Sequence, residues 1–182
     1  MNKAIMLSIA PKWCELIASG KKTIEVRKTR PAIDTPFKCY IYCTNTRPYL
    51  VWGDVFRGNW ETEFTHLVGY GRKEAERIWD VFNGRVMGEF VCDDIEKLTY
   101  NFDGYGDEWH EWNDEYVDYK DMCLSEKELE DYLGANNGYG WHISDLKIYD
   151  KPKDLGEFFK DIYGKLVPLK RPFQSWGYVE EL

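Results

Sequence analysis

Short segments of β-branched and aromatic residues recur along the chain, and turn residues separate them. AIMLSI at 4–9, FKCYIYCT at 37–44 and RVMGEFVC at 85–92 have the composition of buried strands. Alternating segments at 23–27 and 141–149, and the segment at 176–179, favour further strands. Apolar residues at helical spacing, or capping signals, predict helices near 11–19, 71–83 and 125–134. Five or six strands with two to four helices predict an α+β domain built on a small, mixed β-barrel.

The length of 182 residues favours one domain spanning 1–182. Two stretches do not follow the strand pattern. Residues 45–70 are rich in Gly, Asn, Trp and Arg and show little periodicity, so we expect a long loop there. Residues 100–120 are acidic and aromatic. We therefore expect insertions near 45–84 and 100–120.

Charge is distributed unevenly over a chain whose net charge is −8. Residues 1–50 hold nine Lys or Arg against three Asp or Glu, whereas residues 89–135 hold three against sixteen. Residues 147–172 are mildly basic again, with seven against four. This asymmetry favours a local anion site and argues against non-specific binding of duplex nucleic acid.

The five cysteines are scattered, and Cys39 and Cys43 would lie too far apart on a strand to chelate one zinc ion. The three histidines have no neighbouring ligand motif. We therefore expect reduced thiols, no metal site and no cofactor. No segment approaches the ~20 apolar residues of a membrane span, and the N-terminal segment does not resemble a signal peptide. We expect a cytoplasmic protein without a membrane partner.

The segment GKKTIEVR at 20–27 joins a predicted helix to a predicted strand. Thr23, Glu25 and Arg27 share one face of that strand, and the β-branched residues between them face a core. Glu25 and Arg27 are about 6.6 Å apart along the strand, so Glu25 can orient Arg27 or the nearby Lys22. Three interpretations stay open: an anion clamp made by Arg27 and Lys22, a desolvated catalytic lysine, and a solvated strand face with a salt bridge.

These residues and both ends of the chain resemble the ASCH domains, a branch of the PUA-like β-barrels. The resemblance lies in Gly20-x-Lys22-Thr23-x-Glu25-x-Arg27, in LSIxPxW at 7–13 and in PFQSWGYV at 172–179. It spans nearly the whole chain. It implies a PUA-like barrel with flanking helices and insertions, and a cleft beside the barrel that binds RNA or a modified nucleoside or nucleotide.

The resemblance also raises the question of catalysis. Some members hydrolyse the acetyl amide of N4-acetylcytidine with the lysine and second threonine of a K-T-x-T-x-R motif, assisted by a distant glutamate. Lys22 matches that lysine, whereas Glu25 replaces the second threonine, so this chemistry does not transfer directly. Lys22 and Glu25 remain the candidate catalytic residues. Ribonuclease activity is attributed to other members, but no residue set in this chain requires it.

Further candidates are aromatic or polar residues near the motif and near the C-terminus. Trp13 can stack on a base or belong to the core, and so can Trp176. Gln174 and Ser175 can contact a base edge, and Arg47 can contact phosphate. The candidate ligand-binding residues are therefore Trp13, Lys22, Thr23, Glu25, Arg27, Arg47, Gln174, Ser175 and Trp176.

The sequence thus predicts a domain that binds RNA or a modified nucleoside or nucleotide in a cleft lined by Lys, Glu and Arg. A small hydrolase is the first alternative. The acidic aromatic region 100–120, with Tyr105, Trp109, Trp112 and Tyr116, supports a second alternative, because it can meet a basic protein partner. The same region can also cap a nucleoside.

Overall fold

The computed structural model describes residues 2–54, 59–102, 110–112, 119–134 and 136–181. The first half of the chain contains β1 (Lys3–Ile9), α1 (Pro11–Ala18), β2 (Ile24–Arg27), β3 (Phe37–Cys43), β4 (Tyr49–Asp54), β5 (Asn59–Leu67), α2 (Arg72–Ile78) and β6 (Arg85–Cys92). The second half contains β7 (Ile95–Leu98), β8 (Tyr100–Phe102), β9 (His110–Trp112), α3 (Tyr119–Met122), α4 (Glu126–Leu133), β10 (Gly138–His142), β11 (Ser144–Lys153), a 3-10 turn (Leu155–Glu157), β12 (Phe159–Ile162), β13 (Lys165–Pro168) and β14 (Trp176–Glu180).

The main sheet has five strands in the order β11-β6-β3-β1-β14. Strands β1 and β3 are parallel, and the other neighbours are antiparallel. Both faces of the central strands are buried, which explains their continuous apolar runs. Ile5 and Leu7 of β1 pack with Ile41 of β3 on one face, whereas Met6 and Tyr40 pack on the other.

A second sheet of three antiparallel strands has the order β2-β10-β7. Ile24 and Val26 of β2 pack against Leu129 and Leu133 of α4 and against Met122 of α3. The β-branched residues of β2 therefore face a small core, as their alternation predicts. Helix α4 begins with the predicted capping box, because Ser125 and Glu128 bond each other's backbone.

The prediction of a β-barrel is wrong. In the described part of the chain the strands form one sheet of five, one of three and three of two, and none of these sheets closes into a barrel. The segment 141–149, expected as one strand, divides at Ile143 between β10 and β11, which belong to different sheets. Strands β11 and β14 therefore remain as two separate edges of the main sheet. The α+β composition is compatible with this mostly β architecture.

Two other local predictions are corrected by the structure. The expected loop at 45–70 contains the hairpin β4–β5, whose apolar residues pack on Ala75 and Val81. The helix expected over 71–83 covers only Arg72–Ile78. Phe82 reaches the main core from the segment that follows the helix. Helical spacing was misleading here because the chain turns back to the sheet directly after the helix.

The assignment of 1–182 to one domain with insertions stays a prediction. Within the insertion expected at 100–120, Tyr105, Trp109 and Tyr116 lie outside the described residues, and Trp112 ends β9. Over the ranges that the structure describes, no helix is long and apolar enough to span a membrane.

Candidate functional site

The turn between α1 and β2 brings Lys22 into the interior. Gly20 has a φ of +70°, a conformation that glycine adopts without steric cost. The backbone N–H groups of Lys21 and Lys22 both donate to the Leu16 carbonyl at 3.0 Å. The chain therefore reverses tightly at the end of α1, and the Lys22 side chain points inward at only 2% exposure.

Lys22 is held by two oxygen atoms and faces an aromatic ring. Its Nζ donates to the Met122 carbonyl at 2.6 Å and lies 3.5 Å from Glu25 Oε2. The same Nζ lies 5.2 Å from the centre of the Trp13 ring, within cation–π range. Lys22 thus links α1, α3 and β2.

Glu25 lies between two cations. Its Oε1 is 3.0 Å from an Arg27 guanidinium nitrogen, and its Oε2 faces Lys22. Arg27 also donates to the Ser8 carbonyl at 3.0 Å, to the Ser175 carbonyl at 3.3 Å and to the Ser175 hydroxyl at 3.2 Å. The same-face arrangement of residues 25 and 27 that strand alternation predicts is therefore realised.

Lys22, Glu25 and Arg27 form what we call the buried ionic cluster. The three residues are 2%, 6% and 5% exposed. Two positive charges and one negative charge leave a net positive charge in the interior. Arg27 Nε is buried and has no hydrogen-bond partner among the described residues. A buried donor of this kind is costly to leave unpaired, so the cluster can accept a further oxygen or nitrogen ligand.

The buried ionic cluster lies beside a cavity of about 490 Å³. The lining combines β1, α1, β2 and α4 with the residues between these elements. It consists of Ser8, Ile9, Ala10, Trp13, Lys22, Glu25, Val26, Arg27, Leu124, Glu128, Asp131 and Tyr132. Buried residues of β1 and β2 form its floor, whereas the exposed residues of α4 form its rim.

Tyr132 of α4 contributes an aromatic ring to the rim and is 39% exposed. Burial raises the pKa of its hydroxyl, and the Arg27 charge opposes this rise. Lys28 Nζ lies 5.2 Å from the centre of the Tyr132 ring. Tyr132 is therefore a protonated hydrogen-bond donor at neutral pH, held beside the buried ionic cluster.

The two rim carboxylates have different surroundings. Glu128 accepts from the backbone and hydroxyl of Ser125, and these hydrogen bonds lower its pKa. It also lies 3.4 Å from Lys12 Nζ, which in turn lies 4.2 Å from the Trp13 ring centre. Asp131 has no ion pair or hydrogen bond within the described ranges. Asp131 is thus the rim carboxylate that is available to a ligand.

Comparison with known proteins gives matches by structure only. No family profile matches the chain, and no curated protein matches it by sequence. The crystal structure of ASCH from Zymomonas mobilis is 16% identical, with 98% of this chain and 88% of that chain covered and a TM-score of 0.51. The chain has the ASCH fold. A tyrosine-to-phenylalanine variant of the Zymomonas mobilis protein is 18% identical, covers 99% and 92%, and has a TM-score of 0.51. A serine-to-alanine variant is 18% identical, covers 98% and 89%, and has a TM-score of 0.54.

The ASCH fold brings together the predicted motif residues and separates most of the others. Trp13, Lys22, Glu25 and Arg27 line the cavity. Ser175 does not line the cavity, but its carbonyl and hydroxyl oxygens accept hydrogen bonds from Arg27. The C-terminal segment therefore supports the buried ionic cluster, whereas its sequence predicted a contact with the ligand.

The remaining candidates lie outside the cavity lining. Thr23 bonds through its backbone to Asp121 and Ile143. Trp176 donates through its indole N–H to Thr29 at 3.0 Å. Arg47 and Gln174 are exposed. Their assignment as ligand-binding residues stays a prediction that this arrangement does not support further.

Sequence reasoning missed the contribution of α4 to this ASCH fold. Leu129 and Leu133 are the buried residues of the helix. Glu128, Asp131 and Tyr132 follow the spacing i, i+3, i+4, which places them on a second common face. That spacing could have indicated a shared face of α4, but the sequence does not reveal that this face lines a cavity together with β2.

Proposed function

We propose that this protein binds a nucleoside unit in the cavity, either as a free modified nucleoside or nucleotide or as part of a single-stranded RNA. The observation that carries this proposal is the combination of a buried cationic floor with the Trp13 and Tyr132 rings in one cavity. We place this binding in the cytoplasm.

Size and lining both support a ligand of this kind. Small-molecule sites typically measure about 300–1,000 Å³, and the cavity of about 490 Å³ lies within that range. Proteins that recognise unpaired bases stack them on aromatic rings and bond their edges. Trp13 and Tyr132 provide the rings, and both are partly exposed.

The unpaired polar groups of the cavity match the edge of a base. Arg27 Nε is a donor at the floor, and Asp131 is an acceptor at the rim. A base offers ring or carbonyl acceptors together with an amino or imino donor. A nucleoside can therefore bond at the floor and at the rim, whereas an anion without a proton, such as sulfate, has no donor for Asp131.

The charge of the rim and of the whole chain favours a small or single-stranded ligand over a duplex. The rim carries the carboxylates Glu128 and Asp131, and the net charge of the chain is −8. Duplex binding depends on the neutralisation of many phosphates. A single nucleotide unit places few phosphates near the rim, where Lys12 lies beside Glu128 and Lys28 lies beside Tyr132.

A calorimetric binding screen against nucleosides, modified nucleosides including N4-acetylcytidine, and short single-stranded RNAs tests the proposal. We expect Tyr132→Ala to weaken binding of the best ligand by roughly tenfold, because one stacked ring contributes about 1–3 kcal/mol. Lys22→Ala should weaken it as well, provided that circular dichroism shows a folded protein. Ile78→Ala, a truncation of an exposed apolar side chain of α2 outside the cavity, is the control and should leave affinity within twofold. Absence of binding by the wild type, or equal binding by all variants, would refute the proposal.

Hydrolysis of a modified nucleoside is the second candidate function. The observation in its favour is the Lys22–Glu25 pair, 3.5 Å apart and buried in the cavity lining. A buried lysine can act as a base or nucleophile, but a neighbouring carboxylate opposes the required loss of its proton. Chromatography of N4-acetylcytidine after incubation with the protein detects the deacetylated product and so decides between the two functions. Turnover that disappears in Lys22→Ala indicates a hydrolase, and binding without turnover indicates a binding domain.

A further inference from the structure

Strands β12 and β13 form a hairpin that pairs with no other sheet in the described part of the chain. Its base is anchored, because Phe158 and Leu169 are buried with Met6 and Tyr40 on the second face of the main sheet, and the Leu169 N–H donates to the Phe158 carbonyl at 2.8 Å. Beyond the base, four paired positions extend the hairpin by about 13 Å. We call this hairpin the β12–β13 arm.

The tip of the β12–β13 arm holds an aromatic ring fully in solvent. Tyr163 and Gly164 form a two-residue turn with φ values of +55° and +80°, and Tyr163 is 104% exposed. Turns with two positive φ values favour Asn and Gly, and a bulky residue there is strained. The Gly164 N–H donates to Asp161 Oδ1 at 2.6 Å, which fixes the turn. The arm therefore presents a fully exposed tyrosine on a hydrogen-bonded turn, at a position where packing does not require one.

One face of the arm carries two lysine side chains. Cross-strand pairing places Lys160, Ile162 and Lys165 on the same face. Lys170 and Arg171 follow the base and are exposed. None of these cations forms an ion pair within the described ranges. A chain with a net charge of −8 thus carries a local group of unpaired positive charges beside an exposed ring.

The exposed apolar groups of the arm do not form one continuous face. Ile162 is 38% exposed and Leu166 is 44% exposed. Leu166 pairs with Asp161 and therefore points to the face opposite Ile162. An apolar groove of a protein partner or a lipid surface requires a contiguous apolar patch. A flat π-system flanked by lysines instead matches the way in which proteins contact single-stranded nucleic acids, by stacking on bases and pairing with phosphates.

We propose that the β12–β13 arm is a second binding surface, separate from the cavity, for single-stranded nucleic acid. Tyr163 stacks on a base, and Lys160 and Lys165 contact the adjacent phosphates. The cavity can bind a nucleoside without the arm, so the two proposals stand or fall separately.

Fluorescence anisotropy with a fluorescein-labelled 12-nucleotide oligouridine tests this surface in the chain of 182 residues. We expect Tyr163→Asn to weaken binding about tenfold, near the low end of what one stacked ring contributes. Asn is favoured at this turn position, so the variant should keep its urea midpoint. Tyr163→Phe retains the ring and should bind within twofold of the wild type.

A salt titration tests the lysines. The double variant Lys160→Gln/Lys165→Gln should reduce the slope of log K against log salt by about 1.4, since each phosphate contact to a single strand contributes about 0.7. The control is Lys73→Gln/Lys127→Gln, which removes two exposed lysines from α2 and α4 and should leave the slope unchanged.

Three results would overturn the proposal. The first is no oligouridine binding by the wild type at 50 mM salt. The second is equal binding by wild type and Tyr163→Asn, including the case in which only Lys22→Ala weakens binding, which would assign the oligonucleotide to the cavity. The third is Tyr163-dependent binding to phosphatidylserine vesicles without oligouridine binding, which would assign the arm to membranes.

Discussion

Glu25 is the residue on which the candidate site depends most. It is the only acidic member of the buried ionic cluster and contacts both Lys22 and Arg27. Removing one partner from a buried ion pair leaves an uncompensated charge and is strongly destabilising. As the one carboxylate of the cluster, Glu25 offsets one of the two buried positive charges.

We expect Glu25→Gln to lower the free energy of unfolding by about 3–5 kcal/mol, because Lys22 and Arg27 would face each other without a counter-charge. Urea denaturation followed by tryptophan fluorescence measures this change. Glu126→Gln is the matched control, because Glu126 is exposed on α4 outside the cavity, and it should change stability by less than about 0.5 kcal/mol. A loss below about 1 kcal/mol for Glu25→Gln would mean that this carboxylate does not stabilise the cluster.

Helix α4 forms one wall of the cavity. Three of its residues form the rim, and Leu129 and Leu133 attach the helix to β2. Its N-terminus depends on the capping box of Ser125 and Glu128. Loss of the cap therefore affects both the stability of the helix and the position of Tyr132 and Asp131.

We expect Ser125→Ala to destabilise the protein by about 1 kcal/mol, the usual cost of losing a side-chain cap, and to weaken nucleoside binding. Paired urea and calorimetric titrations measure the two effects. Lys127→Ala lies between the two capping residues and is exposed, so it should alter neither quantity. Unchanged ligand affinity in a destabilised Ser125→Ala protein would separate α4 from the binding site.

Over the whole molecule, the local rules of the sequence predicted the elements better than their assembly. The faces of β2, the end of α1 at Gly20 and the capping box of α4 follow from side-chain alternation, glycine and cap chemistry, which are all local properties. The division at Ile143, the hairpin at 45–70 and the open main sheet depend on which strands pair, and pairing is decided by contacts between distant segments. The same limit applies to the site, since Tyr132 and Asp131 meet β2 only after α4 has docked.

The distribution of thiols provides a test of the whole assembly. Cys14, Cys39, Cys43 and Cys92 are buried, whereas Cys123 is partly exposed. Burial raises the pKa of Cys14 and Cys39, and raises that of Cys92 to about 12. At pH 8 we expect one thiol to react rapidly with a colorimetric disulfide reagent and all five to react in urea. Cys123→Ser should abolish the rapid phase, and more than one rapid thiol would contradict the described core.

The raised pKa values also predict how stability depends on pH. The unfolded chain loses protons from these thiols near pH 9, whereas folded Cys92 keeps its proton up to about pH 12. Stability should therefore fall as the pH rises from 9 to 12. Urea midpoints measured across this range should fall less steeply in Cys92→Ala than in the wild type.

The contact between Arg27 and Ser175 joins residues that are 148 positions apart. During synthesis, β2 and the turn between α1 and β2 leave the ribosome long before the segment that supplies the Ser175 carbonyl and hydroxyl. Until then the Arg27 guanidinium lacks half of its protein acceptors, and β1 has an unpaired edge where β14 will lie. The nascent protein therefore cannot complete its candidate site before its C-terminal strand has been made, so chains interrupted before residue 175 would lack the completed cluster.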